Sequence, residues 1–358
     1  MPVNVKLIGE IRRARGLSQG ELGRRVGVTR QTLAAWEKGE REPPVAKLAL
    51  LARELGVPLE LFFERPQAEA PALLFRADDP KALSSELRTL LSKKARDYRE
   101  IEELAGETPV IPEYRPRADY DPDFIEQVAR EVRVWLGAEE GPLGDVLHLL
   151  EQRGLKVILQ SLPAEVSGFS AYDENEVGAV IFINAEHAVE RQRFTALHEL
   201  AHLIFHRQEY NEPKRPARKR DPREKTANHF AAAVLLPPET LKDELRGFEK
   251  RWLPLPLLAD LRFRYGVSVR TVLLRAAQLK LISQKQMGQQ LGWINKRFGQ
   301  LWEPGEPLPA SQTLGRLERL VWKLVLHEQI TLSRAAEVLG EPVPELHRRL
   351  REWREVPA

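Results

Sequence analysis

The chain has 358 residues, 42% of them hydrophobic, and 55 Lys and Arg against 52 Asp and Glu give a formal net charge of +3. That length is enough for two or three domains with apolar cores, and so small a charge does not indicate generic coating of nucleic acid. The absence of cysteine excludes disulfides and Cys-ligated zinc, so any metal ligands have to be His and carboxylates. Residues 1–6 have no apolar signal region and no apolar run approaches about 18 residues, so we expect a cytoplasmic protein without a membrane partner.

Two short helices are predicted near the amino terminus. Ser18 and Thr29 stand where helix N-caps belong, and Glu21 completes a capping box with Ser18. Gly27 supplies the turn between the helices, and Pro43-Pro44 opens a further helix whose apolar residues recur at helical spacing. The pattern predicts a small all-helical domain.

With the exit segment Trp36-Glu37-Lys38-Gly39, this stretch resembles the XRE type of helix-turn-helix, the Cro and phage-repressor domain, over residues 4–63. The resemblance implies a homodimer on double-stranded operator DNA, with the helix from Thr29 to Lys38 in the major groove. Side chains at the start of that helix would reach base edges, and others would contact phosphates. The residues implied for DNA binding are Ser18, Gln19, Thr29, Arg30, Gln31, Thr32, Lys38 and Arg41.

A connector follows this domain. Residues 66–80 are rich in Pro and Ala and predict a linker, and a helix is expected from Lys81 to about Leu104. The apolar residues of that helix could form a dimer seam or pack on the next domain, and packing is favoured because they do not sustain heptads. Prolines then indicate an extended crossing, before helices near 122–136 and 142–153 and strands at 155–159 and 178–183.

The central part contains the motif His198-Glu199-Leu200-Ala201-His202. Two histidines four residues apart lie on one helical face, so both imidazoles can reach one divalent ion. Glu199 can then take a proton from a water that the ion activates, which is the chemistry of a metalloprotease. Apolar residues at helical spacing support a helix here. The alternative is two histidines that meet by accident.

A catalytic metal site of this type needs a third protein ligand. Glu224 is the first choice, because it begins a second predicted helix that ends at Pro237-Pro238. His206 and His229 are rivals by residue type. Three ligands along one straight helix would spread over about 12 Å, so His206 is expected to end the helix instead.

The segments 195–206 and 224–237, preceded by the apolar run 180–184, resemble the ImmA/IrrE family of metallopeptidases over residues 120–285. The resemblance implies a zincin-like fold, one Zn²⁺ or Mn²⁺ per chain, and cleavage of helix-turn-helix repressors in stress or mobile-element switches. It gives the metal-ligand role to His198, His202 and Glu224 and the general-base role to Glu199. The loop between the two motifs departs from the family in its basic run, residues 214–220, whose role stays open.

The carboxy-terminal part has weaker sequence signals. Residues 332–340 followed by 344–347 have the length of another helix-turn-helix, but the absence of a basic recognition helix favours a packing unit over a second DNA reader. The apolar side chains expected in a core here are Trp322, Val325, Leu326 and Ile330.

The sequence therefore predicts a predominantly helical α+β protein in four parts. These are a helix-turn-helix domain at 1–65, a linker and connecting helix at 66–120, a zincin-like metallopeptidase domain with a small sheet at 121–285, and a helical region at 286–358. The protein substrate would be a repressor, a toxin or the chain itself. In the alternative, the metal domain is catalytically silent and acts as a sensor or antitoxin-like binding module on a DNA-bound repressor.

Overall fold

The computed structural model describes residues 5–57, 59–62, 83–107, 109–115, 120–139, 141–211, 221–248, 251–300, 302–310 and 315–355. This part of the chain contains sixteen α-helices and a single three-stranded sheet. Of the helices described, none is both long enough and apolar enough to cross a membrane. The prediction of a predominantly helical α+β fold is confirmed.

The helices are α1 Lys6–Ala14, α2 Gln19–Val26, α3 Arg30–Glu37, α4 Val45–Leu55, α5 Ser85–Leu104, α6 Pro122–Leu136, α7 Val146–Gln152, α8 Val189–Phe205, α9 Pro222–Leu235, α10 Pro238–Glu244, α11 Leu255–Tyr265, α12 Val269–Gln278, α13 Gln284–Phe298, α14 Arg316–Leu326, α15 Leu332–Leu339 and α16 Val343–Glu355. The strands are β1 Lys156–Gln160, β2 Gly168–Asp173 and β3 Gly178–Asn184. Short 3-10 helices lie at Leu59–Phe62 and Arg207–Asn211.

The sheet has the order β1-β3-β2. Strand β1 pairs with β3 in parallel, with Ile158 opposite Phe182, and β2 pairs with β3 antiparallel, with Ser170 opposite Ile181. Strand β2 is therefore an edge strand, and it packs against helix α8. The sheet holds one side of the helix that carries the two motif histidines.

The central strand β3 presents alternate residues to two separate cores. Ala179, Ile181 and Ile183 face a core that they form with α6 to α13, whereas Val180 and Phe182 face the other core. Successive side chains of a strand point to opposite faces of its sheet. Both faces are covered here, so all five residues are buried. A strand covered on both faces reads as a continuous apolar run, as this one does in the sequence.

The second core joins the two ends of the chain. It contains apolar residues of α1 to α5, one face of the sheet, and apolar residues of α14 to α16. Beside it, Lys156 of β1 donates a hydrogen bond of 2.6 Å to Glu102 of α5, and Arg316 of α14 pairs with the same carboxylate. All three side chains are almost fully buried. Buried charges persist only when paired, so this network fastens the connecting helix to the sheet and to α14.

Helix α5 packs within the chain, but mainly against α1, α14 and α15, and it meets the expected next domain through hydrogen bonds to β1. Leu91, Tyr98 and Ile101 are fully buried in the second core. The pair α15 and α16 also acts as a packing unit against α14 and α5, where Arg334 of α15 bonds to Asp97 and Glu100 of α5.

Three expectations need correction. Strand β2 was not predicted, because its centre is Ser170-Ala171 and lacks the β-branched residues typical of strands. Helix α7 begins at Val146, after an Asp145 cap, and not at 142. Leu326 is 55% exposed, not in the core, because it lies two residues beyond Leu324 and hence on the opposite side of α14. The predicted linker 66–80 and the basic run 214–220 lie outside the described residues.

Candidate metal centre

Helix α8 brings His198 and His202 onto one face. Residues four apart are neighbours on a helix surface, and the two Nε2 atoms lie 3.1 Å apart. The helix is buried on most sides from Thr195 to Phe205, so packing fixes both rings. The His202 side chain is 2% exposed, and that of His198 is 12% exposed.

Helix α9 supplies Glu224. The helix begins at Pro222 under an Asp221 cap, which places Glu224 in its first turn beside α8. Its Oε2 atom lies 3.1 Å from His198 Nε2, and its Oε1 atom lies 3.4 Å from His202 Nε2. The structure thus brings together the three residues that the sequence nominated as ligands. Elsewhere in the described ranges, no His, Cys, Asp and Glu side chains form such a group.

The donor set fits a divalent cation. Ligand atoms of a tetrahedral zinc site, bonded at about 2.0–2.1 Å, lie about 3.3 Å from one another. The two Nε2 atoms, 3.1 Å apart, are near that spacing, and one ligand atom from each of the three residues lies within 4.8 Å of the others. Two imidazole nitrogens and a carboxylate oxygen can bind Zn²⁺, Mn²⁺ and related divalent ions.

Two side chains orient the imidazoles. His198 Nδ1 lies 3.2 Å from the amide oxygen of Asn228, which can only accept, so Nδ1 carries the hydrogen and Nε2 keeps a lone pair. His202 Nδ1 lies 3.2 Å from His206 Nδ1, where one ring donates to the other. Partners of this kind fix the tautomer of a metal-binding imidazole.

Glu224 is held in the ionised state that a metal ligand needs. Burial opposes ionisation, but when the two imidazoles are protonated their hydrogen bonds and charges outweigh it and hold the pKa of this carboxyl well below its usual range. One third of the Glu224 side chain is exposed, so the centre opens to solvent on this side.

Glu199 is buried and tied to the edge strand. The Ser170 hydroxyl of β2 donates a hydrogen bond of 2.5 Å to Glu199 Oε2. Ser170 Oγ also lies 2.7 Å from the hydroxyl of Tyr210, which belongs to the 3-10 helix after α8. A pair of buried hydroxyls therefore positions the carboxylate next along the helix from His198.

The rival ligands have other partners. His206 caps α8 and touches His202 through Nδ1. His229 points to the other side of α9, where its Nε2 lies 2.7 Å from Glu126 and its Nδ1 lies 2.9 Å from the Tyr120 hydroxyl. Neither belongs to the group formed with Glu224.

The amino-terminal helices have the predicted caps. Ser18 and Glu21 form a complete capping box on α2, Gly27 ends that helix at a φ of 66°, and Thr29 accepts from the Thr32 amide at the start of α3. Arg30 and Gln31 are exposed at that start.

The other residues predicted to contact DNA differ in the exposure and hydrogen bonding of their side chains. Lys38 and Arg41 are exposed after α3. Gln19 donates a 2.8 Å hydrogen bond to Glu37, which also pairs with Arg12 of α1. This bond joins the start of α2 to the end of α3.

Comparison with known proteins agrees with this geometry at both sites. Residues 8–62 match the helix-turn-helix family model, and residues 150–277 match that of the IrrE N-terminal-like domain, a peptidase M78 family. An HTH-type transcriptional regulator of Methanothermobacter thermautotrophicus is 52% identical over 50 residues, which cover 14% of this chain and 72% of that protein. The chain belongs to the helix-turn-helix regulators and carries an M78 peptidase-family domain. Both resemblances seen in the sequence are confirmed.

A solved transcriptional regulator of Mycobacterium tuberculosis shares 18% identity with this regulator, at a TM-score of 0.33. The match covers 51% of each chain, so the regulator spans about half of that structure. A likeness so distant carries no argument about function.

An open groove of about 1510 Å³ adjoins the metal centre. Glu224, Lys225 and Asn228 of α9 form one side of it, and residues of α6, of the end of α12 and of the starts of α10 and α13 line the remainder. The groove meets the metal centre at Glu224, and His198, Glu199 and His202 do not line it. Under its floor, the fully buried Arg275 donates two hydrogen bonds, of 2.5 and 2.8 Å, to Glu126. Burial opposes ionisation of Glu126, but the bonds from Arg275 and His229 outweigh it and lower its pKa to about 2.

Sequence reasoning missed Asn228, Ser170 and Tyr210. Asn228 could have been found, because it lies four residues after Glu224 and so on the same face of α9. Ser170 meets Glu199, and Tyr210 meets Ser170, only through tertiary packing, and no local pattern marks either of them.

Proposed function

We propose that this regulator is a DNA-bound, metal-dependent endopeptidase. The observation that carries the proposal is the convergence of His198, His202 and Glu224 at separations of 3.1 to 3.4 Å, beside a buried Glu199. A catalytic centre needs an open side for its substrate, and the groove that Glu224 and Asn228 line is the one that we assign to it.

His198, His202 and Glu224 would hold one Zn²⁺ or Mn²⁺, whose Lewis acidity lowers the pKa of water and polarises a peptide carbonyl. Glu199 acts as the general base and then returns the proton to the leaving amine. Ser170 and Tyr210 keep its carboxylate in one orientation. Preorganisation of this kind matters because a misplacement of about 1 Å can cost on the order of 100-fold in rate.

The helix-turn-helix domain would place this activity on operator DNA. Arg30 and Gln31 are exposed at the start of α3, where Arg suits guanine and Gln suits adenine. Thr32 follows them, Ser18, Gln19, Lys38 and Arg41 would contact phosphates, and Thr29 would lie at the same DNA surface as the cap of the helix. A homodimer would read two half-sites related by twofold symmetry.

The substrate would be a protein, either a repressor or toxin encoded nearby or a second region of the same chain. The retention of Glu199 beside both histidines supports turnover, because a purely structural or sensing metal site does not need a base.

Metal titration of the stripped protein tests the centre. Wild type and Glu199→Gln should each bind one Zn²⁺ or Mn²⁺ per chain, whereas Glu224→Gln should bind at least tenfold more weakly, since a neutral amide is a poor ligand. Only the metal-loaded wild type should hydrolyse a mixed library of unstructured peptides. Equal metal affinity in Glu224→Gln, or cleavage by Glu199→Gln, would contradict the assigned roles.

A further inference from the structure

The groove beside the metal centre has an excess of uncommitted positive charge. Among its acidic side chains, Glu126 is paired with Arg275, Asp221 with Arg223, and Glu224 with the two imidazoles. Asp123 is the acidic side chain that remains.

Three cations line the same groove, namely Arg130 of α6, Lys225 of α9 and Lys280 after α12. All three are exposed, and within the described ranges none lies within ion-pair distance of a carboxylate. A groove with three open cations and one open carboxylate attracts a negatively charged ligand.

One of these cations is held in place by an aromatic ring. The Lys225 ammonium lies 3.7 Å from the centre of the Tyr120 ring, and the Tyr120 hydroxyl is bonded to the buried His229. Lys225 directly follows the ligand Glu224 in the chain, and both residues line the groove. Lys280 has a φ of 60°, a conformation that favours glycine. This is the left-handed position that ends α12, where the Leu281 amide bonds to the Ala276 carbonyl, and Lys280 lines the groove from there.

We propose that the peptidase prefers a polypeptide segment with acidic side chains close to the scissile bond, and that Lys225 and Lys280, with Arg130, recognise those carboxylates. The inference rests on the proposed function and names its substrate class. Ammonium and guanidinium groups bind carboxylates by charge-assisted hydrogen bonds.

The mixed lining favours a peptide over a nucleic acid. Asp123, the carboxylate that is unpaired within the described ranges, lies among the cations and would repel the closely spaced phosphates of a strand. A peptide can place one or two carboxylates singly, and the amides of Gln278 and Gln284 can bond to its backbone.

The first experiment uses the cleavage of random dodecapeptides by the zinc-loaded wild type, read by mass spectrometry. Asp and Glu should be enriched within four residues of the cut bond. Lys225→Gln combined with Lys280→Gly should lower that enrichment about fivefold at unchanged metal content, as expected for two partly screened charges. Lys280→Gly relieves the positive φ, so lost stability cannot explain its effect. Lys296→Gln, an exposed lysine of α13 outside the groove, is the control and should change nothing.

A second measurement separates this inference from the proposed function. Zinc-loaded Glu199→Gln, which is expected to bind without cutting, is mixed with fluorescent peptides that carry Glu and Asp or, at the same positions, Gln and Asn. Tighter binding of the acidic peptides, lost in the lysine variant, supports acidic recognition even if the wild type cleaves nothing. Cleavage without acidic enrichment would overturn the inference and leave the peptidase intact. Equal displacement of the acidic peptides by a twelve-nucleotide oligothymidine would show general anion binding and also overturn it.

Discussion

Asn228 Oδ1 lies 3.2 Å from His198 Nδ1, at the ring nitrogen that does not face Glu224. Helix α9 therefore supplies both the carboxylate and the acceptor that orients the first histidine, four residues apart on one face. The two helices α8 and α9 would assemble the metal centre as a unit.

We expect Asn228→Ala to weaken Zn²⁺ binding about 10- to 100-fold, because the His198 ring loses the partner that fixes its tautomer. Competition with a chromophoric chelator measures the dissociation constant. Asn175→Ala, in the exposed turn between β2 and β3, removes a similar side chain far from the centre and should bind zinc like the wild type. Equal affinities of the two variants would show that Asn228 does not orient the ligand.

Ser170→Ala should lower the rate of peptide cleavage about tenfold while metal content stays at one ion per chain, because Glu199 loses a short hydrogen bond. The loss should fall on kcat and not on KM, and Ser170→Thr should restore part of it. Ser161 offers a matched control, since it makes a similar 2.6 Å bond to the exposed Glu186. A rate in Ser170→Ala as high as in Ser161→Ala would refute the positioning role.

The ion pair between Glu126 and Arg275 makes the free energy of unfolding depend on pH in the acid range. The folded-state pKa of Glu126, about 2, is below its usual value near 4.5, so the pair stabilises the fold above about pH 4.5. That contribution, of the order of 3 kcal/mol, is lost as the pH falls toward 2. Urea unfolding of wild type and Glu126→Gln measures it.

At pH 7, Glu126→Gln should lower the free energy of unfolding by about 3–5 kcal/mol, because Arg275 is left buried without its counter-charge. Glu126→Gln with Arg275→Met removes both charges and should recover much of the loss. The wild-type advantage should shrink toward pH 2. An advantage that is constant with pH would exclude an ionised Glu126.

DNA-binding measurements should separate exposed residues of α3 and of the segment after it by role. Gln31→Ala should weaken binding to the operator by about 1–3 kcal/mol and hardly affect random duplex. Arg41→Ala should weaken both alike and reduce the slope of affinity against salt by about one ion. Fluorescence anisotropy at several salt concentrations measures both quantities, with Lys296→Ala as the control. An equal loss on both duplexes in Gln31→Ala would mean that this residue only positions the protein.

Much of the site could be predicted from the sequence because its signals are local. The capping residues Ser18 and Thr29, the turn at Gly27, and the spacing of His198 and His202 each depend on a few neighbouring positions. Glu224 could be nominated because it begins a helix with an apolar side.

The remaining features depend on contacts between distant segments. Strand β2 has no strong local propensity and exists because it pairs with β3 and covers α8. Likewise, the amphipathic patterns of α5 and α14 predict that each helix buries a face, but they do not identify the partner. The shared core and the bond between Lys156 and Glu102 appear only when the whole fold is assembled.

The most direct measurement is intact mass over time for zinc-loaded wild type and Glu199→Gln, each incubated alone and with the protein encoded by a neighbouring gene. The account predicts metal-dependent fragments with the wild type and none with Glu199→Gln at equal zinc content. Fragments of the regulator would identify self-cleavage, and fragments of the neighbour would identify a partner substrate. Stable masses under every condition, with zinc bound and the peptide library also intact, would contradict the peptidase account and favour a sensor or antitoxin-like module on DNA.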